Sequence, residues 1–167
     1  NQSVWVSDGV TAQPLHHPST EGGPITGLTV FNNKVYFSAE GALQVATSAS
    51  SQAVDVSTSN LAEGGLRPSE LTVLNNKLLF SASVSDGANY ELFQYDGNQV
   101  SLLKDITGDS SSSLPNQLSY LNDRIIFRAN DGIAGQELWV SDGSESGTVL
   151  LLDIYQGAGH SNVNVNF

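Results

Sequence analysis

Glu137-Leu138-Trp139-Val140-Ser141-Asp142-Gly143 runs into Ser144-Glu145-Ser146-Gly147-Thr148 and then the apolar stretch Val149-Leu150-Leu151-Leu152. It reads as an alternating strand, a tight polar turn on Asp-Gly and a returning strand, because glycine supplies the positive φ that closes a hairpin. Trp5-Val6-Ser7-Asp8-Gly9 repeats the last five residues of the first phrase, and Glu91-Leu92-Phe93-Gln94-Tyr95-Asp96-Gly97 is a weaker copy. A repeated strand-turn-strand phrase therefore sets the fold.

A second phrase precedes each copy. Leu28-Thr29-Val30-Phe31, Asn32-Asn33, Lys34-Val35-Tyr36-Phe37-Ser38-Ala39 recurs from Leu71 to Ala82 around Asn75-Asn76, and from Leu118 to Ala129 around Asn122-Asp123. Asn and Asp tolerate the left-handed backbone of a two-residue turn, so each copy predicts a hairpin. Its second strand is apolar on both faces, the pattern of a strand covered on both sides. The copies start at 28, 71 and 118, 43 and then 47 residues apart.

Third and fourth strands follow each hairpin, at 42 to 47 and 53 to 57, 91 to 95 and 99 to 104, and 137 to 141 and 148 to 152. Four short strands in a period of about 40 to 50 residues is the pattern of a β-propeller blade. A β-sandwich is the competing architecture, and repetition of the whole four-strand unit favours the propeller. The chain is thus expected to be all-β, with three complete four-stranded antiparallel blades (28–57, 71–106, 118–154) and two partial ones. Residues 1–17 give the outer half of one blade, with Pro14 suiting an edge. Residues 163–167, Val-Asn-Val-Asn-Phe, give the first strand of another. A ring needs roughly four to eight blades, so the chain reads as an excerpt of a longer array. The alternatives are that its ends combine, or that copies share a ring or filament through pairing of 163–167 with 3–7. On this reading the isolated chain is not a closed monomer.

Six Lys and Arg residues stand against 17 Asp and Glu, and the net charge of -11 opposes phosphate backbones and anionic lipid surfaces. No stretch approaches the roughly 20 apolar residues of a membrane helix. Nucleic-acid binding and membrane insertion are therefore not expected. With no cysteine there is neither a disulfide framework nor a thiolate metal site. The acidic, Ser/Asn/Gly-rich composition suits an extracellular bacterial protein, and Asn1 begins without a signal-peptide pattern.

Glu137-Leu138-Trp139 through Gly147-Thr148, with Asp153-Ile154, resembles the bacterial ELWxxDGT repeat family. Residues 118–154 match its pattern nearly throughout, including Ala129, Asp131-Gly132, Gly135 and Glu137. The first whole blade departs most, since Ala42-Leu43-Gln44-Val45 stands where Glu-Leu-Trp belongs. The resemblance implies an extracellular or cell-surface β-propeller and transfers no catalytic constellation.

Candidate chemistry is sparse. Asp8, Asp96 and Asp142 precede glycine and are expected to shape turns rather than hold a ligand. Trp5, Phe93 and Trp139 share one repeat position and are expected to wedge between blades. His16 and His17 are adjacent on a strand and point to opposite faces, and His160 is distant in sequence, so zinc is disfavoured. No Gly-x-Ser-x-Gly elbow is visible, and the run from Ser110 to Ser113 reads as a solvated loop. The loops between strands two and three and after strand four emerge on one face, which groups Asp86, Asp105, Asp109, Asp131 and Asp153 with Asn89 and Asn130. Oxygen ligands of this kind suit calcium, although no loop has EF-hand spacing. The functional expectation is a non-catalytic surface module for binding, adhesion or scaffolding, with a glycan or a protein as partner. A purely structural repeat, a calcium-dependent lectin and part of a secreted hydrolase are the alternatives.

Overall fold

The computed structural model describes residues 3–7, 9–16, 24–47, 53–56, 66–83, 88–157, 159 and 161. Among them are fourteen strands and no helix. Strands β1 (Val4–Ser7) and β2 (Ala12–His16) form a two-stranded sheet. Three antiparallel four-stranded meanders follow. The first sheet holds β3 (Thr26–Phe31), β4 (Lys34–Ala39), β5 (Ala42–Ala46) and β6 (Val54–Asp55). The second holds β7 (Ser69–Leu74), β8 (Lys77–Ala82), β9 (Glu91–Tyr95) and β10 (Val100–Lys104). The third holds β11 (Asn116–Leu121), β12 (Arg124–Asn130), β13 (Gln136–Ser141) and β14 (Val149–Leu152). The predicted first strand at 163–167 lies outside the described residues.

The turns form as their residues dictate. Asn32 and Asn33 have φ of 48° and 57°, Asn75 and Asn76 47° and 59°, and Asn122 and Asp123 49° and 59°. Two successive left-handed residues make the turn whose twist matches the flanking strands. One boundary differs from the sequence reading. The first strand of each sheet begins two residues earlier, at Thr26, Ser69 and Asn116, because a bulge follows that position. Gly27, Glu70 and Gln117 take positive φ there, which restores pairing upstream of the apolar run.

The sheets stack face to face. In β8, Leu78, Phe80 and Ala82 pack with Phe31, Tyr36 and Leu43 of the first sheet, while Leu79 turns to Leu118, Ile125 and Phe127 of the third. This is the two-faced burial that the doubly apolar strand predicted. Phe80 and Phe127 are fully buried, each contributing about 1.5–3 kcal/mol by removal from water. The first strands of successive sheets lie side by side. Thr29 Oγ1 donates to the Leu71 carbonyl at 3.2 Å, and Thr72 Oγ1 repeats the bond to the Leu118 carbonyl at 3.1 Å. At the other end of the strands, Asn75 Nδ2 donates to the Asp142 carbonyl (3.0 Å) and Lys77 Nζ to the Gly143 carbonyl (3.2 Å). Gly143 has φ of +86°, and an added Cβ would lie 3.4 Å from Leu74 of the second sheet. The Asp-Gly turn of one sheet is thereby seated against the Asn-Asn turn of its neighbour.

The shared aromatic position has two outcomes. Phe93 and Trp139 pair with Phe80 and Phe127 and face the preceding sheet, so both are buried. Trp5 does not wedge between sheets and is 59% exposed. Val4 and Val6 pack β1 onto Phe37 and Ala39 of the first sheet, and exposed Trp5 lines a recess with Ile25 and exposed Leu28. Leu71 and Leu118, at Leu28's repeat position, are buried. An exposed apolar patch of this kind favours association. Light scattering is expected to show a mass that rises with concentration, and Trp5→Ser is expected to suppress the rise. A concentration-independent monomeric mass would remove the expectation.

Candidate functional site

The glutamate of the Glu-Leu-Trp phrase is a buried loop anchor. Glu137 is 0% exposed and accepts hydrogen bonds from Ile154 N–H (2.9 Å) and Ser161 N–H (3.2 Å). Glu91 does the same in the second sheet. Ile106 N–H donates at 2.8 Å, Ser113 N–H at 3.0 Å and Ser113 Oγ at 2.6 Å. Each carboxylate thus holds the Asp-Ile segment after the fourth strand together with the chain entering the next unit. The serine run is therefore not simply a solvated loop, since Ser113 is fully buried. Burial pushes the Glu91 carboxyl above its usual range, with Asp105 repulsion adding to it against the Ser113 and Ile106 hydrogen bonds. At Glu137 burial also pushes upward, but the bonds from Ile154 and Ser161 outweigh it and the carboxyl sits below its usual range. The first sheet lacks the carboxylate. Ala42 occupies the position, paired to Ala39 as Glu91 is to Ala82, and buried Leu66 stands where Ser113 does. Backbone bonds fix that equivalence, Leu66 N–H to the Gly41 carbonyl (3.1 Å) matching Ser113 N–H to the Tyr90 carbonyl (3.0 Å).

The aspartates in Asp-Gly turns shape those turns. Asp142 Oδ1 accepts from Ser144 Oγ (2.6 Å) and Ser144 N–H (2.9 Å), and Asp96 Oδ1 accepts from Asn98 and Gln99 N–H, both at 2.8 Å. These bonds hold both carboxyls below the usual range, led by Ser144 at Asp142 and by Gln99 at Asp96. The Asp142 carboxylate lies over Gly147, where a side chain would collide with it. Asp8, His17 and His160 lie outside the described residues.

Of the five aspartates grouped by the sequence, Asp86 lies outside the described residues. Asp105 and Asp131 line one cavity of about 390 Å³ between the second and third sheets, together with Lys104 and Trp139. Each carboxylate also serves its own loop. Asp105 Oδ1 accepts from Gly108 N–H (2.8 Å), Asp131 Oδ1 from Ala134 N–H (2.7 Å) and Asp109 Oδ1 from Ser111 N–H (2.6 Å). Asp153 Oδ1 is buried and faces no protein donor. Among the described residues, no three His, Asp or Glu side chains come together as a metal ion requires.

The sequence reading missed two cavities that occupy equivalent places. The first, about 360 Å³, lies between the first and second sheets and is lined by Pro24, Thr26, Ser38, Glu40, Gly41, Arg67, Pro68, Ser69 and Tyr90. The second, about 410 Å³, lies between the second and third sheets, lined by Ser69, Ser81, Tyr90, Leu114, Pro115, Asn116 and Gln136, with Glu70. The pairs Thr26–Ser38 and Ser69–Ser81 stand at the same register, and Pro68 matches Pro115. No protein-family model matches this chain, and no curated protein or solved structure matches it significantly. The residue before each proline is left-handed, Arg67 with φ of 43° and Leu114 with φ of 49°. Such a backbone costs of order 1–3 kcal/mol for a residue with a Cβ. Here it is held by Arg67 N–H to the Gly41 carbonyl (2.8 Å) and Leu114 N–H to the Tyr90 carbonyl (3.2 Å). The signal that could have revealed the cavities was the recurring Arg67-Pro68 and Leu114-Pro115 step. Hydroxyls, amides and one phenol can bind a polar ligand there by hydrogen bonds.

Proposed function

We propose that the chain is a non-catalytic, propeller-type module of an extracellular or cell-surface protein, which binds or scaffolds a glycan or protein partner. The observation that carries this reading is the pair of repeat-equivalent cavities between successive sheets, where stacked units leave the same recess twice. Stacking of four-strand meanders through both faces of their second strands, with first strands adjacent, supports propeller closure in a larger assembly. The resemblance of residues 118–154 to ELWxxDGT repeats supports a bacterial surface location. The buried glutamates are engaged by loop N–H groups, which favours a binding module over a hydrolase with two free carboxylates. The test is a glycan array and a panel of surface proteins probed with the purified chain, with the bound material recovered and its mass compared before and after. Saturable binding with unchanged mass is expected. Cleavage would replace the reading with a hydrolase, and binding to neither class would replace it with a purely structural repeat.

A further inference from the structure

Tyr90 belongs to both cavities. It lines the cavity between the first and second sheets and also the one between the second and third. Its backbone is fixed on three sides, by Ser112 Oγ accepting from its N–H (2.7 Å) and by Ser113 and Leu114 N–H donating to its carbonyl (3.0 and 3.2 Å). The residue that the two like recesses share is therefore held in place by its backbone.

Resting on the binding-module reading above, we infer that the two cavities form one cleft for an uncharged saccharide chain, with one sugar unit in each and Tyr90 between them. A pyranose offers hydroxyls around its rim and an apolar C–H face, so its site needs groups that donate and accept together with an apolar surface. Ser69, Ser81, Asn116 and Tyr90 provide the first requirement, and the Tyr90 ring with Leu114 and Pro115 provides the second. The volumes, about 360 and 410 Å³, fall at the small end of ligand sites. Charge argues for a neutral ligand. Glu40 and Arg67 offset one another in one cavity, the other has only Glu70, and the chain as a whole carries -11. A phosphorylated or sulfated ligand would meet a net repulsion. Repetition argues for a polymer, because two equivalent recesses at consecutive sheet interfaces match a ligand that itself repeats.

The test is titration of the isotope-labelled chain with cellotetraose, maltotetraose, chitotetraose and xylotetraose, with the corresponding monosaccharides, and with a sulfated oligosaccharide and a neutral peptide as controls. At least one neutral tetrasaccharide is expected to shift the amide resonances of Ser69, Ser81, Tyr90 and Asn116, binding about tenfold or more tightly than its monosaccharide. Tyr90→Ala, with an unchanged melting temperature, is expected to reduce that affinity at least about tenfold. Asn116→Ala is expected to weaken binding while sparing the shifts at Thr26 and Ser38. Should Tyr90→Ala fail to fold, Tyr90→Phe and Asn116→Ala carry the test. Shifts confined to another surface, an affinity equal for monosaccharide and tetrasaccharide, a preference for the sulfated chain or the peptide, or no shift with any saccharide would each overturn the inference. Saccharide shifts on another surface, or binding of the peptide, would leave the binding-module reading standing, whereas silence with all ligands would count against both.

Discussion

Glu91→Ala is expected to lower unfolding free energy by about 3 kcal/mol, because it removes a buried carboxylate bonded by three donors, leaves Ile106 N–H unpaired and opens a cavity. Ile106 N–H would lose its acceptor outright, whereas Ser113 N–H and Ser113 Oγ–H would keep the Tyr90 carbonyl at 3.0 and 3.1 Å. A buried donor left unpaired costs roughly 1–3 kcal/mol. The first sheet shows how the same loop is held without a carboxylate, through Ala42 and buried Leu66 at the positions of Glu91 and Ser113. The double substitution Glu91→Ala with Ser113→Leu is therefore expected to recover at least half of the loss in urea denaturation, since it removes the Ser113 hydroxyl, the one side-chain donor of the three, and fills the space. A double variant no more stable than the single one would mean that the first sheet's solution does not transfer.

The two anchors should also respond to acid with opposite sign. The folded Glu137 carboxyl titrates below its unfolded value, so the stability it contributes is present above the unfolded value and lost as pH falls through the folded one. The folded Glu91 carboxyl titrates above its unfolded value. Its contribution is complete below the unfolded value and is lost as pH rises through the raised folded one. Denaturation curves are expected to show the deficit of Glu137→Gln shrinking as pH falls through the acid range, while that of Glu91→Gln grows. Parallel trends for the two variants would contradict the opposed shifts.

Much of this architecture was legible in the sequence because the local rules agree. Asn-Asn turns force left-handed pairs, period-two alternation fixes strands, and a doubly apolar second strand demands a neighbour on each face. What could not be read is where a side chain goes once neighbours are chosen. Glu137 and Glu91 look like ordinary polar residues opening a strand, and only the return of the Asp-Ile and Ser segments over the strand end buries them. The cavities were hidden for a related reason, since their linings come from two sheets and from left-handed residues before proline, where local propensity disfavours that conformation. Trp5 was misread because the five residues Trp5–Gly9 repeat Trp139–Gly143, while their surroundings differ.

Trp139 supplies the converse experiment, because its environment is complete. It is 7% exposed and packs in the cluster of Leu74, Leu79, Leu103 and Phe127 that joins the second and third sheets. Trp139→Ala is expected to cost on the order of 3 kcal/mol, the sum of lost transfer energy and the cavity left behind. The indole Nε1 is buried and faces no protein acceptor, so part of what tryptophan gains by burial is offset by an unpaired donor. Phe93 at the equivalent place in the second sheet packs without that donor, its ring stacked 6.4 Å from Phe80. Trp139→Phe should accordingly cost well under half as much as Trp139→Ala. Trp5→Ala, at the same repeat position on an open face, should change stability by less than about 0.5 kcal/mol. Comparable losses at Trp5 and Trp139 in urea denaturation would show that the aromatic acts within its own sheet, and the inter-sheet wedge would have to be abandoned.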